Sequence, residues 1–389
     1  MNIGLLLPSV YMGKKYTNKI FAPKQLFLDL ADGLVARGHT VYVYASPDTK
    51  TTAHLISGHH EFIDKDFMSV KFKGLEKLTK KRYAHLTTKT EYEIDLSIKA
   101  YVHAKEKKVA IMHSFHDFIA HYINQLANLP TVYTIHDPLP RKDLLEYWRI
   151  KHFSHDNYIF ISQSHLKNFH GSVKSAGVAY NGVDIRKFSF RQEEGTYLAF
   201  IGRYIKEKGV EHAISASKSA GILLKLIGDD AYRALPYYQT YVLPHLKHGV
   251  LEDETFFGES DRSEFLKNAK ALLFPILWEE PFGMVMIEAM SSGTPVIAYN
   301  RGSVSEVIRD GVTGFIIDPD NVRRPGKGSW IIKEQGIAGL AEAVKRIGQI
   351  DRAVCRKHVE DNFTIEKMID NYENIYKKII NSATYKLND

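Results

Sequence analysis

The sequence predicts an α/β protein made of two halves, each with a mostly parallel sheet. Short apolar runs alternate with amphipathic stretches along the whole chain, which is the pattern of repeated βαβ units. The chain has 389 residues, too many for one ordinary core, and this length favours two domains. With 44% hydrophobic and 25% charged residues, the composition is that of a globular protein and not of a disordered one.

The first half contains five predicted strands with a clear helix between the first two. The strands are residues 2–7, 40–45, 109–115, 131–135 and 158–161. Leu26, Leu30 and Leu34 stand four apart, and Gly38 follows as a stop. This spacing predicts an amphipathic helix that ends before the second strand.

The second half repeats the pattern and ends in a long helix. Its predicted strands are residues 197–203, 223–227, 271–276, 295–299 and 314–317. Turn residues and charges in "NGVDIRKFSFRQEEGTY" place the junction at about residue 190. Apolar residues at helical spacing from 365 to 379 predict an amphipathic helix. We therefore expect domains at 1–190 and 191–363, with a helix at 364–389 that packs back on the first domain.

Cysteine content and hydropathy limit the compartment. Cys355 is the only cysteine, so an intramolecular disulfide and a thiolate metal site are excluded, which suits a reducing compartment. The apolar run near the start is shorter than a membrane span and has no basic stretch before it. We expect a soluble, cytoplasmic protein.

Most of the net charge of +7 lies in one segment. Residues 71–108 hold eleven Lys or Arg against five Asp or Glu. This segment is either a solvated helical face or a surface that meets an anionic membrane at its inner face or another anionic acceptor. Nucleic acid is disfavoured because no nucleic-acid-binding motif accompanies the charge.

The stretch "WEEPFGMVMIEAMSSGTPVIA" carries two glutamates in different settings. Pro281 and Gly283 disfavour a helix through Glu280, whereas a helix that begins near Gly283 contains Glu288 in its second turn. Both carboxylates then face the N-terminus of this helix, whose N–H groups favour a phosphate or a sugar oxygen. Because carboxylates accept hydrogen bonds from hydroxyls, the pair predicts a site for a phosphorylated sugar.

Two cations follow the first strand of the second half, in "GRYIKEKG". Arg203 at the strand end and Lys208 at the start of the next helix would both lie at the carboxyl edge of the sheet, where ligands of doubly wound folds bind. Taken alone, they are solvated cations as readily as ligand contacts. Together with Glu280 and Glu288 they predict a diphosphate pocket.

This combination resembles the retaining enzymes of glycosyltransferase family 4, which have the GT-B fold of two facing Rossmann-like domains. The spacing from Glu280 to Glu288 is similar to their E-x7-E motif, and the resemblance extends through "GSVSEVIRDGVTGF" and "YNGVDIRKF". It implies that Glu280 contacts sugar hydroxyls, Glu288 the ribose, and Arg203 and Lys208 the diphosphate. The backbone contacts to sugar and phosphate that it implies come from Phe282, Gly283, Met284 and Val285.

Histidines after strands of the first half complete the candidates. By the resemblance, His136 in "YTIHD" contacts the donor sugar, and Asp137 is its partner. A single histidine after a strand is otherwise more often structural. His113 and His116 in "MHSFHD" also end a predicted strand, and they are candidates for the acceptor side.

One loop departs from the family pattern. Enzymes of this family commonly have a Gly-Gly pair after the first strand, where this chain has Phe21 and Ala22. Without glycine, close approach of the backbone to a ligand is harder. Gly13, Lys14 and Lys15 are possible substitutes.

The expected activity is retaining transfer of a hexose from a nucleoside diphosphate sugar, with UDP or GDP as the carrier, to a hydroxyl of a glycan, lipid or small molecule. The resemblance implies front-face transfer without a metal or a cofactor. Acidic residues in "GDD" and "DPD" follow strands and are expected to act as turn or cap residues. Two alternatives remain: a nucleotide-sugar epimerase of the same fold, and a catalytically weak binding protein of membrane surfaces.

Overall fold

The computed structural model describes residues 1–9, 12–13, 22–59, 76–115, 118–169, 171–248, 251–255, 259–320 and 328–385. The chain forms two compact units. The first unit comprises Met1–Ile161, Phe169–Ala179 and Met368–Asp389, and the second comprises Ser162–Asn168 and Tyr180–Lys367. The chain thus passes into the second unit at Tyr180, and a short segment from the first half belongs to it.

The first unit contains a sheet of seven parallel strands. In chain order these are β1 (Asn2–Leu6), β2 (Thr40–Tyr44), β3 (His54–Ile56), β4 (Ile111–Ser114), β5 (Thr131–Thr134), β6 (Asn157–Phe160) and β7 (Ser175–Val178). The order across the sheet is β3-β2-β1-β4-β5-β6-β7. Strands β1, β4 and β5 are almost wholly buried, as expected for a parallel sheet covered on both faces.

Helices connect these strands. In the first half of the chain they are α1 (Ala22–Ala36), α2 (Glu76–Glu106), α3 (Ile119–Ala127), α4 (Leu145–His152) and α5 (Gln163–Asn168). Leu26, Leu30 and Leu34 of α1 are all buried, as their spacing predicts. The side chains of α2 are described from Lys89 onwards.

The second unit contains a sheet of six parallel strands. They are β8 (Tyr197–Ile201), β9 (Leu224–Gly228), β10 (Leu251–Thr255), β11 (Ala269–Phe274), β12 (Val296–Tyr299) and β13 (Gly314–Ile317). Their order is β10-β9-β8-β11-β12-β13. The order reverses direction between β8 and β11, which makes the carboxyl ends of these two strands the expected binding edge.

The helices of the second unit are α6 (Val210–Ala220), α7 (Pro236–Tyr241), α8 (Glu259–Lys267), α9 (Met284–Ser291), α10 (Val304–Val307), α11 (Gly336–Arg346) and α12 (Arg352–Asn362). The last helix of the chain is α13 (Ile365–Tyr385). None of the helices in the described ranges is long and apolar enough to cross a membrane.

The C-terminal helix α13 is amphipathic, as its periodicity predicts, and from Met368 onwards it belongs to the first unit. Tyr372 and Tyr376 are buried there. At the rim, Arg37 contacts Asp370 at 2.7 Å, and His39 contacts Glu373 at 2.5 Å. An apolar stripe with ion pairs beside it therefore fixes this helix to the unit that the chain left almost two hundred residues earlier.

Candidate active site

The loops after β8 and β11 lie side by side because these two strands pair. The N–H of Leu277 donates to the carbonyl of Glu207 at 2.8 Å. Lys208 is in a 3₁₀ turn, Lys206–Lys208, that precedes α6. This backbone contact brings the predicted cation loop and the predicted glutamate loop together.

Lys208 and Glu280 form a close ion pair. The Nζ–Oε2 distance is 2.6 Å, and the side chains are only 15% and 11% exposed. The indole N–H of Trp278 donates to the same oxygen at 2.6 Å. Neither bond uses Oε1, so this second oxygen is available to accept from a ligand hydroxyl.

The ring of Trp278 connects both predicted cations. Lys208 Nζ lies 4.9 Å from a Trp278 ring centroid, and Arg203 Cζ lies 6.0 Å from one. These distances are within the range of cation–π attraction. Arg203 is itself exposed. Trp278 therefore contacts Lys208, Arg203 and Glu280. Sequence reasoning missed this role, although the position of Trp278 two residues before Glu280 could have indicated it.

The backbone carbonyl oxygens of the loop from Glu280 to Phe282 all accept hydrogen bonds from serines. The N–H of Ser303 donates to Glu280 O at 3.0 Å. Its hydroxyl donates to Phe282 O at 2.7 Å, and Ser162 Oγ donates to Pro281 O at 2.6 Å. With its carbonyls fixed in this way, the loop has a defined backbone conformation.

A glycine allows this close packing. Gly302 has φ +57°, and a Cβ there would lie 2.1 Å from the carbonyl oxygen of Glu280. Its own N–H donates to Glu279 Oε2 at 2.7 Å. Any other residue at 302 would displace the loop that carries Glu280.

Helix α9 begins where this loop ends. Gly283 precedes it with φ 79°, and no side chain caps its first turn. Gly283, Met284 and Val285 are half-buried, whereas Phe282 and the rest of α9 are buried. The orphan N–H groups of the first turn thus lie in the part of the helix that solvent reaches.

Glu288 is 7% exposed and lies on α9 one turn below Met284. Because helical side chains lean toward the N-terminus, its carboxylate is directed to the first turn. Arg262 of α8 donates to its Oε1 at 2.6 Å. Sequence reasoning missed Arg262, since nothing in the local pattern links it to a residue 26 positions away.

Glu306 fixes the segment that supplies Ser162. Its carboxylate accepts hydrogen bonds from the N–H groups of Gln163 and Ser164 at 2.8 and 2.6 Å. The hydroxyl of Tyr180 donates to it at 2.7 Å. Burial and the neighbouring carboxylate raise the pKa of Tyr180 above its usual value, so the phenol stays a donor.

The histidine candidates lie in the first unit and have different environments. His136 is half-buried and stacks on Phe115 with ring centroids 5.4 Å apart. Asp137 is exposed. Their role toward a donor sugar stays a prediction.

His113 is a core residue, and its assignment to the acceptor side is wrong. It is fully buried, with Nδ1 2.6 Å from the Tyr376 hydroxyl and Nε2 2.7 Å from Thr134 Oγ1. Burial lowers its pKa well below the usual value. Both ring nitrogens are therefore occupied inside the first unit.

Several predicted positions fall outside the described residues. These are His116, Phe21, Lys14 and Lys15. Gly13 is buried, and Ala22 begins α1.

The acidic residues of "GDD" and "DPD" have structural partners. Asp229 accepts from the N–H of Ala231 and caps a 3₁₀ turn. Asp318 accepts from the N–H of Gly328 and from the indole of Trp330. Across the described ranges, no three His, Cys, Asp or Glu side chains are grouped to hold a metal ion.

Two family models match adjacent parts of the chain. The model described as Glycosyltransferase Family 4 matches residues 25–187, and the model described as Glycosyl transferases group 1 matches residues 183–328. Together they cover both units from residue 25 to residue 328. The chain belongs to the family 4 glycosyltransferases, which confirms the family predicted from the E-x7-E stretch.

Curated relatives support this family. An uncharacterized 41.2 kDa protein from the cps region of Klebsiella pneumoniae is 29% identical over 48% of this chain and 47% of its own. A glycogen synthase of Mycobacterium tuberculosis is 31% identical over 44% of this chain and 39% of its own. An uncharacterized glycosyltransferase of Methanocaldococcus jannaschii is 26% identical over 55% of this chain and 62% of its own. The matches thus span about half the length of these relatives.

Solved structures confirm the GT-B fold. Sucrose-phosphate synthase from Thermosynechococcus elongatus superposes with a TM-score of 0.66 at 17% identity, covering 98% of this chain and 99% of that one. Anabaena HepE in complex with UDP superposes with a TM-score of 0.66 at 16% identity, covering 97% of this chain and 100% of that one. At these identities the likeness shows the fold alone.

Proposed function

We propose that this protein is a retaining glycosyltransferase that moves a hexose from a nucleoside diphosphate sugar to an acceptor hydroxyl. The cluster of Lys208, Glu280 and Trp278 at the carboxyl edge of the second sheet is the observation that carries the proposal. It combines a cation for a phosphate with a carboxylate for a hydroxyl, beside an uncapped helix N-terminus.

Each predicted residue then has a defined role. Arg203 and Lys208 bind the diphosphate together with the N–H groups between Phe282 and Val285. Glu280 Oε1 accepts a hydrogen bond from a sugar hydroxyl, while Lys208 and Trp278 donate hydrogen bonds to Oε2. Glu288 accepts from the ribose hydroxyls, and Arg262 fixes its orientation. By the family resemblance, His136 is proposed to contact the donor sugar.

The proposed reaction is a front-face substitution at the anomeric carbon. The bond from that carbon to the diphosphate oxygen breaks, and its electron pair leaves with the diphosphate. The acceptor oxygen forms the new bond on the same face, and its proton passes to the departing phosphate oxygen. Arg203, Lys208 and the helix N–H groups lie where negative charge develops.

A direct nucleophilic role for Glu280 is disfavoured. Two hydrogen bonds at Oε2 stabilise its charge and lower its reactivity. A hydrolase would need two carboxylates on opposite sides of the glycosidic bond, whereas Glu288 is held by Arg262 on the helix. We propose that the reaction needs neither a metal nor a cofactor, because cations and backbone N–H groups supply the positive charge.

The carrier nucleotide is proposed to be UDP or GDP. HepE of Anabaena was solved with UDP and with UDP-glucose, which supports a nucleotide-sugar donor. The acceptor is proposed to be a hydroxyl of a glycan, a lipid or a small molecule. Contact of residues 71–108 with an anionic membrane remains part of the proposal.

Product analysis tests this function. The protein is incubated with UDP- and GDP-hexoses, with and without a panel of hydroxyl acceptors, and the products are analysed by NMR. We expect nucleoside diphosphate release that depends on acceptor, and a product with the anomeric configuration of the donor. An epimerised donor formed without acceptor would establish the epimerase instead, and an inverted product would contradict the mechanism.

A variant links the activity to the site. Glu280→Ala should abolish transfer while the protein stays folded, because the carboxylate that accepts a hydrogen bond from the sugar hydroxyl is lost. Glu360→Ala is the matched control, since it removes a carboxylate on α12 that pairs with Arg356. Full activity of Glu280→Ala would contradict the site assignment.

A further inference from the structure

The first unit carries exposed large apolar side chains on two adjacent helices. On α3, Tyr122 is 48% and Leu126 is 87% exposed. At the start of α4, Leu144 is 40%, Leu145 is 68% and Trp148 is 60% exposed. Single exposed apolar residues are ordinary, but a group of this size on one surface indicates a binding partner.

These side chains form one continuous surface. Leu144 and Leu145 lie four and three residues before Trp148, so they share its face of α4. His152 lies one turn further along, and its ring is 6.4 Å from that of Tyr122. Leu126 lies one turn beyond Tyr122 on α3. We name these residues, 122, 126, 144, 145, 148 and 152, the α3–α4 ridge.

The base of the ridge is well packed. The guanidinium of Arg149 lies 3.9 Å from the centroid of the Phe118 ring. Tyr122 meets the buried Phe153 edge to face at 4.7 Å. Contacts between α3 and α4 thus hold the ridge outward, and its exposure is a property of the packed structure.

The charges beside the ridge are predominantly positive. Arg141 pairs with Asp143 at 2.8 Å, and Arg149 contacts Glu146 at 3.5 Å. Each acid between residues 141 and 152 is therefore matched by an arginine. The cations that remain in this segment are Lys142 and Lys151, both exposed.

We propose that the α3–α4 ridge docks the protein on the surface of an anionic lipid bilayer. A tryptophan with leucines inserts at the interface between headgroups and acyl chains, and lysines beside them attract anionic headgroups. The ridge does not overlap residues 71–108, the basic segment whose charge indicated a contact with an anionic membrane. It lies on the first unit and does not depend on transfer at the second unit.

Vesicle sedimentation with the full chain tests the proposal. Phosphatidylcholine vesicles with and without phosphatidylglycerol are pelleted, and the bound fraction is measured. We expect binding to the anionic vesicles that weakens with salt. Leu145→Ser with Trp148→Ser should weaken binding at least about tenfold because apolar burial is lost. Lys142→Gln with Lys151→Gln should weaken it about tenfold through lost attraction.

A matched control uses another exposed apolar pair. Leu235 and Tyr241, at the two ends of α7, are 44% and 48% exposed, and they lie in the second unit, outside residues 71–108. Their double change to Ser should leave binding as it is in the unchanged protein. Circular dichroism confirms that each variant is folded.

The results that overturn the proposal are distinct from a failure of the transfer reaction. Absence of binding to anionic vesicles, or equal binding by the Leu145 and Trp148 variant, would contradict it. Concentration-dependent dimerisation abolished by the same variant would assign the ridge to a second copy of the chain instead.

Discussion

At the scale of single residues, Trp278 organises the candidate site. Its N–H donates to Glu280, and its ring faces both cations. The two functions can be separated by substitution because only the first needs the indole nitrogen. The sequence predicts Glu280, Glu288, Arg203 and Lys208 as site residues from their positions after strands and at a helix start, whereas the contacts of Trp278 depend on its side-chain orientation.

Replacing Trp278 by Phe should remove the hydrogen bond and keep an aromatic face for Lys208. We expect kcat for transfer to fall about tenfold, the cost of a hydrogen bond to a charged group, with little change in donor KM. Steady-state kinetics measures both constants. Trp330→Phe is the matched control, since it removes an indole bond to Asp318. A rise in donor KM alone would contradict the positioning role.

At the scale of elements, the loop from β11 to α9 depends on residues far away in the chain. Ser162 is 119 residues from Pro281, and no local pattern reveals their contact. The helix start near Gly283 was predictable because Pro and Gly mark it. What a sequence pattern cannot give is which distant donors satisfy the loop carbonyls.

Gly302→Ala should displace this loop, since the added Cβ would overlap the Glu280 carbonyl. We expect transfer to fall about 100-fold, as misplacement of a reacting group by about 1 Å does. Gly221→Ala is the matched control: φ is +68°, and nothing lies within 4 Å of the added Cβ. Equal activity of the two variants would show that the loop does not position Glu280.

The docking of α13 gives a second test at this scale. Tyr376→Phe leaves Nδ1 of the buried His113 without its hydroxyl partner. We expect the free energy of unfolding to fall by about 1–3 kcal/mol, measured by urea denaturation. Tyr372→Phe should cost less, because its hydroxyl accepts only a long bond of 3.4 Å from Thr134. A smaller loss for Tyr376→Phe than for Tyr372→Phe would contradict this account.

At the scale of the whole molecule, buried and half-buried histidines link stability to pH. Burial lowers the pKa of His113, His212 and His358. The unfolded chain therefore binds more protons than the folded one below the ordinary histidine pKa of about 6.5. Stability is full above that pH and falls as the pH decreases through the window below it.

Substitution of His113 tests this linkage. Each such histidine contributes up to about 1.4 kcal/mol of stability for each pH unit below about 6.5. His113→Gln should remove one histidine's share of the slope, even if the variant is less stable throughout. Urea denaturation across this window measures the slope. An unchanged slope would show that His113 is not held neutral in the fold.

The two parallel sheets were largely predictable, and what was missed lies at their edges. Strands β3 and β7 end the first sheet, and β10 ends the second. Edge strands are partly exposed, so "LEDET" of β10 lacks the apolar run that identifies a central strand. The passage into the second unit at Tyr180 follows from Glu306 and its distant partners.

Titration calorimetry with UDP, GDP and ADP measures directly whether the site of Lys208 and Glu280 binds a nucleoside diphosphate. We expect one of the three to bind, and Lys208→Met to weaken its binding about 10- to 100-fold because a charge-assisted contact is lost. Lys225→Met is the control, since Lys225 pairs with Glu252 and Glu254 on the β9–β10 edge. This variant should bind the nucleoside diphosphate as tightly as the unchanged protein does. If none of the three diphosphates binds, or if Lys208→Met binds as tightly as the unchanged protein, the site is not a nucleoside diphosphate site.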